Sequence, residues 1–414
     1  MTSAKPMGPI PPEFAGQDVL TIAGRTAGDW ASEAGDTPLF VYDFGIVAAR
    51  IARLRAALPG EVEIHYAIKA NPFAPLLEAI APRVGGLDVA SAGELAKALA
   101  VKPAAHISFA GPGKRDAELE AALRAGATIN LESEGEADRA LAIGLRLGIA
   151  PRVAVRVNPD FELRGSGMRM GGRASPFGID SQRVPDLVRR LLAENADWQG
   201  FHIFGGSQSL DTAAIIEAQA ETVKLAAALA QRVGRVPPLV NLGGGFGIPY
   251  FAGDAPVDVE AIGAALGEAL ASRPPGLDDS RFAIELGRWL VGEAGVYLTR
   301  IVDTKESGGE TFYVVDGGLH HQLAATGNFG TVVRRNYPVA VAARMQARPA
   351  GTISVVGPLC TPLDRLADRA ALPEAQVGDL VAVFLAGAYG ATASPSAFLG
   401  HPPARELLAN GRNS

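Results

Sequence analysis

The chain has 414 residues, a mass of 42.8 kDa and a mean hydropathy of +0.15, with 48% hydrophobic and 20% charged residues. This excludes a mini-protein and a disordered chain; the length suits one large barrel-type domain with a smaller companion, or two medium domains. The formal net charge is −6, from 38 Lys+Arg and 44 Asp+Glu without a basic tract, which argues against a general nucleic-acid binder, and the single cysteine, Cys360, excludes an intramolecular disulfide and a cysteine-based zinc site.

Residues 1–16, with prolines at 6, 9, 11 and 12, read as an extended arm without a signal-peptide core. With a lone cysteine, this predicts a cytoplasmic protein. Within 17–43, the runs Asp18–Ala23 and Thr37–Tyr42 read as strands that join a later β domain. From residue 61, apolar runs alternate with stretches of helical period, as in repeated βα units. The strands are Glu61–Ile68, Gly86–Ala90, His106–Ala110, Thr128–Leu131, Arg152–Val157, Gly200–Phe204, Leu239–Leu242 and Phe282–Glu285. Helical patterns between them include Ala92–Ala100, Asp116–Ala125, Gly135–Leu147, Ser181–Ala193 and Thr212–Val233.

Eight consecutive units predict an α/β fold with a closed (β/α)8 barrel over 44–290; an open doubly wound sheet is the alternative, because strand count does not prove closure. The aperiodic, Gly- and Arg-dotted segment from Asp160 to Gly178 reads as a functional βα loop. After Arg288, the runs Glu293–Asp303, Thr311–Val315, Thr352–Val356 and Leu380–Leu385 predict an all-β domain over 291–414. The uncharged stretch Leu380–Gly400 is broken by Gly387, Gly390, Ser394, Pro395 and Ser396, so no membrane insertion is expected.

In a βα barrel, catalytic groups come from the carboxyl ends of the strands. There the chain carries Lys69, Asp88, Arg156 and Asn158, His202 and Ser207, Gly243 to Gly245, then Glu285, Gly287 and Arg288. A lysine ending an apolar strand would be costly to bury charged, which makes Lys69 a Schiff-base candidate; the alternative is a lysine that reaches solvent. The glycines after strand seven, with Arg288, suggest a phosphate cradle, although glycine clusters also simply make turns. Glu285 suits a protonated cofactor ring nitrogen or an arginine salt bridge, and Asp88 carries the same ambiguity. Asn130, Glu132 and Glu134 read as loop and capping residues, and His65, His106 and His401 as structural. His320 and His321, placed on opposite faces of a strand, would not share a metal, and no metal site is expected.

Together, HYAIKANP around Lys69, DVASAGEL from Asp88, GFHIFGGSQ, NLGGGFG, ELGR, GPLC at Cys360 and GAYG around Tyr389 resemble the fold-type III pyridoxal-phosphate decarboxylases, the group of diaminopimelate and ornithine decarboxylases. Within it, the opening KPMGPIPPEF is similar to the exosortase-A-associated type and to decarboxylases of carrier-bound aminoacyl groups. The resemblance implies an alanine-racemase-like barrel, a C-terminal β domain and a homodimer with shared active sites. Lys69 would hold pyridoxal 5'-phosphate covalently, with Asp88 also at the cofactor, and Glu285 would face the pyridine nitrogen. Ser207, Gly244, Gly245, Gly287, Arg288 and Tyr389 would hold phosphate, and Cys360 from the partner subunit would reprotonate the product. Racemases of this fold carry an arginine at the position of Glu285, so Glu285 favours decarboxylation.

Three departures from the family pattern bear on substrate. Phe204 stands where a histidine stacks on the cofactor, with His202 as the nearby alternative. Thr361 replaces the acidic residue that meets a distal ammonium, with Asp364 three residues on. The substrate-carboxylate region reads VVRRNYPV, offering Arg334, Arg335 and Tyr337 beside Arg288 and Tyr389. A neutral hydroxyl cannot compensate a buried ammonium. The expected activity is α-decarboxylation of an amino acid, with a carrier-bound aminoacyl group as the favoured form. The alternatives are free diaminopimelate decarboxylation, amino-acid racemisation and a non-catalytic cofactor-binding homologue.

Overall fold

The computed structural model describes residues 4–162, 166–169, 174–327 and 335–411. Two compact units emerge: Met1–Ala49 with Ile248–Ala255 and Arg288–Ser414, and Arg50–Gly247 with Pro256–Gly287.

The second unit is the barrel. Its strands, first to eighth, are Val62–Ala67, Gly86–Val89, Ile107–Phe109, Thr128–Leu131, Arg152–Asn158, Asp197–Ile203, Leu239–Gly244 and Arg281–Leu286. Each pairs in parallel with the next, and the eighth returns to the first with Phe282 opposite Val62 and Glu285 opposite His65, so the sheet closes. Closure settles the alternative of an open sheet. Four of the intervening helices start at side-chain caps, Ser91, Ser133, Asp211 and Asp258, each accepting the backbone N–H of the third helical residue. Several end on left-handed glycines, such as Gly126, Gly148 and Gly234.

Strand alternation divides the barrel's two faces. Ile64, Tyr66, Leu87, Phe109, Val155, Phe201 and Ile284 are buried beneath the helices. The inward positions are largely polar: Glu63, His65, Asp88, Ser108, Asn130, His202, Asn241 and Glu285. A barrel of this type ordinarily fills its interior with branched apolar side chains, so such an interior departs from the rule. It encloses a cavity of about 50 Å³. Part of the Asp160–Gly178 loop forms a strand, Ser166–Arg169, antiparallel to Gly206–Ser209. Ile179–Asp180 then adds in parallel to the end of the fifth strand.

The first unit is built on the long strand Gly295–Ser307, which pairs with Glu310–Val315, Leu380–Val383 and Leu39–Asp43. Leu39–Asp43 thus joins the β sheet, as expected of Thr37–Tyr42. The earlier run does not. Thr21–Ile22 pairs only with Arg25–Thr26 in a separate two-stranded ribbon, because the chain turns back at the left-handed residues Ala23 and Gly24. Among the described residues, no helix is long and apolar enough to cross a membrane.

Candidate active site

The first barrel strand runs directly into a 3-10 turn, Ile68–Ala70, that carries Lys69. Ile68 and Ala70 are buried, whereas Lys69 is exposed. The burial cost expected from sequence is therefore not met: the turn rotates this one side chain out of an otherwise enclosed run. The turn is fixed by Tyr66, whose hydroxyl donates to the Asn71 carbonyl at 2.8 Å. Burial raises Asp88 and Glu94, and the Lys69 ammonium lies close enough to oppose that rise in both and to add to the lowering of Glu285. Glu94, half-buried and accepting the Ala90 N–H at 2.7 Å, was not singled out from sequence.

Glu285 is buried on the eighth strand, its Oε2 2.9 Å from His202 Nε2. Burial alone would raise its pKa, but the His202 hydrogen bond, then the charges of His202, Lys69 and Arg156, hold it at about 2. Asp88 goes the other way: burial and the neighbouring Glu285 charge push it up to about 7 against His65, Ser108 and Lys69. The two carboxyls titrate as an interacting pair in which Glu285 is the ionised member. Apart from the contact with Ser108 that helps to hold it down, neither oxygen of Asp88 has a well-formed hydrogen bond among the described residues.

His202 is thus committed to Glu285, and Phe204, half-buried 6.4 Å from the His202 ring, is the remaining aromatic face of that strand end. The Arg156 guanidinium lies 6.0 Å from the Phe204 centroid and 5.0 Å from that of Phe177. Arg156 is anchored by Glu132 at 2.8 Å, and Glu132 also accepts the N–H groups of Gly111 and Gly178. Glu132 is therefore no cap, correcting the sequence reading: it is a buried counter-ion, and Ser133 caps the helix. Asn130 donates to Ser108, Asn158 to Asp180, and Glu134 pairs with Arg183.

The glycines after strand seven are required by space and by conformation. Gly243 and Gly245 have φ of +71° and +83°. A Cβ on Gly243 would sit 2.6 Å from the Ile203 carbonyl oxygen, and one on Gly244 1.9 Å from that of Glu285. One on Gly287 would meet Ala70 at 2.8 Å. Ser207 lies half-buried on the short strand Gly206–Ser209.

In the other unit, Arg288 donates to the Tyr250 hydroxyl at 2.8 Å and lies 4.6 Å from the Tyr389 ring centroid. Tyr389 sits at φ +55°, a strained conformation for a bulky residue. Tyr337 is buried against Tyr250, ring centroids 4.7 Å apart, and the Arg335 guanidinium stacks on Phe251 at 3.8 Å. Tyr250, which sequence reasoning missed, is the centre of this group. Arg334 lies outside the described residues.

Cys360 is exposed on the loop 357–364, and the Thr361 hydroxyl accepts the Leu363 N–H. Asp364 is not available to a substrate. It is buried, with one oxygen accepting the Leu319 N–H at 2.6 Å and the other that of Leu359 at 2.9 Å. Glycines 318 and 357 leave room for it. The expectation that Asp364 binds substrate is corrected accordingly: it holds the loop. His320 and His321 lie in a turn rather than a strand, with ring centroids 3.8 Å apart, so their side chains are not on opposite faces. Among the described residues, no group of three or more His, Cys, Asp or Glu is placed to hold a metal.

Residues 45–292 match the family described as pyridoxal-dependent decarboxylase, pyridoxal binding domain. The L-glutamyl-[BtrI acyl-carrier protein] decarboxylase of Niallia circulans is 37% identical over 382 residues, 90% of this chain and 89% of that protein. The diaminopimelate decarboxylase of Archaeoglobus fulgidus is 33% identical over 396 residues, 95% and 92% of the two chains. The crystal structure of Helicobacter pylori diaminopimelate decarboxylase complexed with L-lysine superposes with a TM-score of 0.81 at 27% identity, covering 93% of this chain and 94% of that one. The closed barrel and the matched family model define a pyridoxal-dependent enzyme, and the relatives place it among the carboxy-lyases. The chain belongs to the pyridoxal-dependent decarboxylase family, whose cofactor is pyridoxal phosphate.

Proposed function

We propose that this protein decarboxylates an aminoacyl group carried as a thioester on an acyl-carrier protein. Removal of an α-carboxylate needs a free α-amine and a free α-carboxylate, so the carrier would be joined through the side-chain carboxyl, as in a glutamyl group. Such a side chain is uncharged at its far end. The observation that carries the reading is the loop beside Cys360, where residue 361 is a neutral threonine and the only carboxylate, Asp364, is engaged by two backbone amides. A distal ammonium would find no counter-charge in that loop. The 37% identity to a carrier-linked glutamyl decarboxylase supports the same substrate class.

The residues fit pyridoxal phosphate: an exposed lysine amine, an ionised buried carboxylate, and buried polar atoms of Asp88, His202 and Arg288 that lack a well-formed hydrogen bond among the described residues. When bound, the cofactor supplies an electron-accepting ring for the electrons of the breaking Cα–carboxylate bond. Lys69 Nζ would hold the cofactor aldehyde. Glu285, kept ionised by His202, would hold the proton on the ring nitrogen, and Phe204 would cover a ring face. Ser207, Gly244, Gly245, Gly287, Arg288 and Tyr389 would bind phosphate, with Tyr250 orienting Arg288. Arg335 and Tyr337 are assigned to the substrate side, Tyr337 through packing on Tyr250.

Cys360 Sγ would deliver the proton that replaces the carboxylate. We assign it to the site of a partner subunit in a homodimer, a reading supported by Leu363, Phe398 and Leu399, apolar side chains 46–53% exposed in the same unit. The test is carbon dioxide release by cofactor-loaded protein from a γ-glutamyl-carrier thioester and from free glutamate, lysine, ornithine and diaminopimelate. Release from the thioester alone is expected. Release from a free basic amino acid at comparable kcat/KM would refute the carrier assignment.

A further inference from the structure

Beside the Glu285–His202 pair, the barrel interior holds a histidine, His65, to which the reading above gives no role, in contact with Asp88. His65 and Asp88 are 6% and 4% exposed. His65 Nε2 is 3.3 Å from Glu63 Oε2, and His65 Nδ1 is 3.7 Å from Asp88 Oδ2. Glu63 in turn accepts from Arg281 at 2.9 Å, at the amino-terminal end of the eighth strand. An imidazole is thereby lodged between two carboxylates, one reaching toward the solvent-exposed Arg281 and the other toward Lys69 and Glu285.

The second strand is cut away to admit this arrangement. A Cβ on Gly86 would lie 2.7 Å from His65 Cε1, and one on Gly85 would lie 2.8 Å from a Glu63 carboxylate oxygen. Neither glycine has a positive φ, so their role here is space rather than backbone freedom. Burial pulls the His65 imidazole toward its neutral form, but the Glu63 hydrogen bond and the charges of Asp88, Glu63 and Glu285 outweigh it, and the net shift is upward. The nearby cations are engaged with the same carboxylates: Arg281 pairs with Glu63, Lys69 acts on Asp88 and Glu285, and His202 is bonded to Glu285. His106 and Arg152 line the same cavity.

We propose that His65 is a positioning residue, which carries a positive charge between Glu63 and Asp88 and thereby governs how the Asp88–Glu285 carboxyl pair shares its protons. Its catalytic meaning rests on Glu285 being the partner of the cofactor ring nitrogen, whereas the charge coupling belongs to the chain alone. With His65 charged, Asp88 is drawn toward ionisation at a point where burial and Glu285 oppose it. Without that charge, Asp88 holds its proton to higher pH.

The test is NMR titration of the full chain, with and without pyridoxal phosphate, using carboxyl-labelled aspartate and ring-labelled histidine. His65→Gln is expected to raise the Asp88 midpoint by about one pH unit, the effect of removing a nearby opposite charge. Asp88→Asn is expected to lower the His65 midpoint, since such coupling is reciprocal. Both midpoints unchanged in folded variants would overturn the proposal. Should His65→Gln fail to fold, the Asp88→Asn titration decides alone, because it leaves His65 and its glycine shelf in place. In the loaded protein, the pH midpoint of the cofactor's visible absorbance should move with that of Asp88; an absorbance midpoint that stays at the wild-type pH would overturn the positioning role. Wild-type protein that shows the coupling yet releases no carbon dioxide would refute the decarboxylase reading and leave the coupling standing.

Discussion

His202 and Glu285 meet at 2.9 Å across the barrel interior, an imidazole nitrogen from the sixth strand against a carboxylate oxygen from the eighth. Neither residue is near the other in sequence, and the bond is what holds a fully enclosed carboxyl in its charged form. Glu285→Gln removes the charge but keeps the shape. It should lower decarboxylation about 100-fold, the size of effect seen when one preorganised electrostatic partner is lost. Steady-state carbon dioxide release measures it, and near-wild-type activity would remove Glu285 from the machinery.

Asp88 gives stability an opposite pH dependence. Its folded pKa of about 7 lies above the ordinary aspartate value of 3.8, so between those values the folded chain binds the extra proton. Stability from this group is therefore present at low pH and is lost as pH rises toward 7. Asp88→Asn should stabilise the cofactor-free protein at pH 8, on the order of 2 kcal/mol, and much less at pH 5. Thermal melts at the two pH values test this; equal destabilisation at both would mean that the carboxylate is ionised and well paired throughout.

Thr361→Glu places a carboxylate beside Cys360, where the loop otherwise offers only the engaged Asp364. The variant should gain activity on free lysine or diaminopimelate, by about tenfold in kcat/KM for one partly exposed ion pair, and lose activity on the thioester. No gain on any basic amino acid would show that the pocket excludes them by shape.

A dimer with shared sites predicts complementation. Lys69→Ala and Cys360→Ala proteins should each be strongly impaired. Mixed in equal amounts and allowed to exchange subunits, they should recover about a quarter of wild-type activity, because random pairing rebuilds one intact site in half of the dimers. Assay before and after exchange measures it. Absence of recovery, with exchange verified by size-exclusion chromatography of tagged chains, would place Cys360 outside a shared site.

Much of the fold could be read along the chain because βα units are local objects. Helices such as Asp116–Ala125 and Thr212–Val233 begin and end where period and caps put them, and Thr128–Leu131 is a strand over its expected span. The motif residues Lys69, Asp88 and Glu285 were likewise visible as polar positions at strand ends. Glu132 is not legible in the same way, because a carboxylate just ahead of a helix looks like a cap until its distant partner, Arg156, is known. The same holds for Asp364, whose partners are backbone amides of Leu319 and Leu359, which have no sequence signature. Alternation of polar and apolar residues in His65–Tyr66 and Phe201–His202 is the sequence signal for a polar barrel interior.

By itself, the sequence determined the number and order of the βα units, the β-rich texture after Arg288 and the motifs that mark the family, since each depends on nearest neighbours and periodicity. Tertiary structure decided closure of the barrel, the choice of His202 as the partner of Glu285, the opposite pKa shifts of Glu285 and Asp88, and the lodging of His65 over Gly86. The physical reason is register: which inward side chains share a level is set by pairing between strands as distant in the chain as Val62 and Phe282, and burial then turns that proximity into charge.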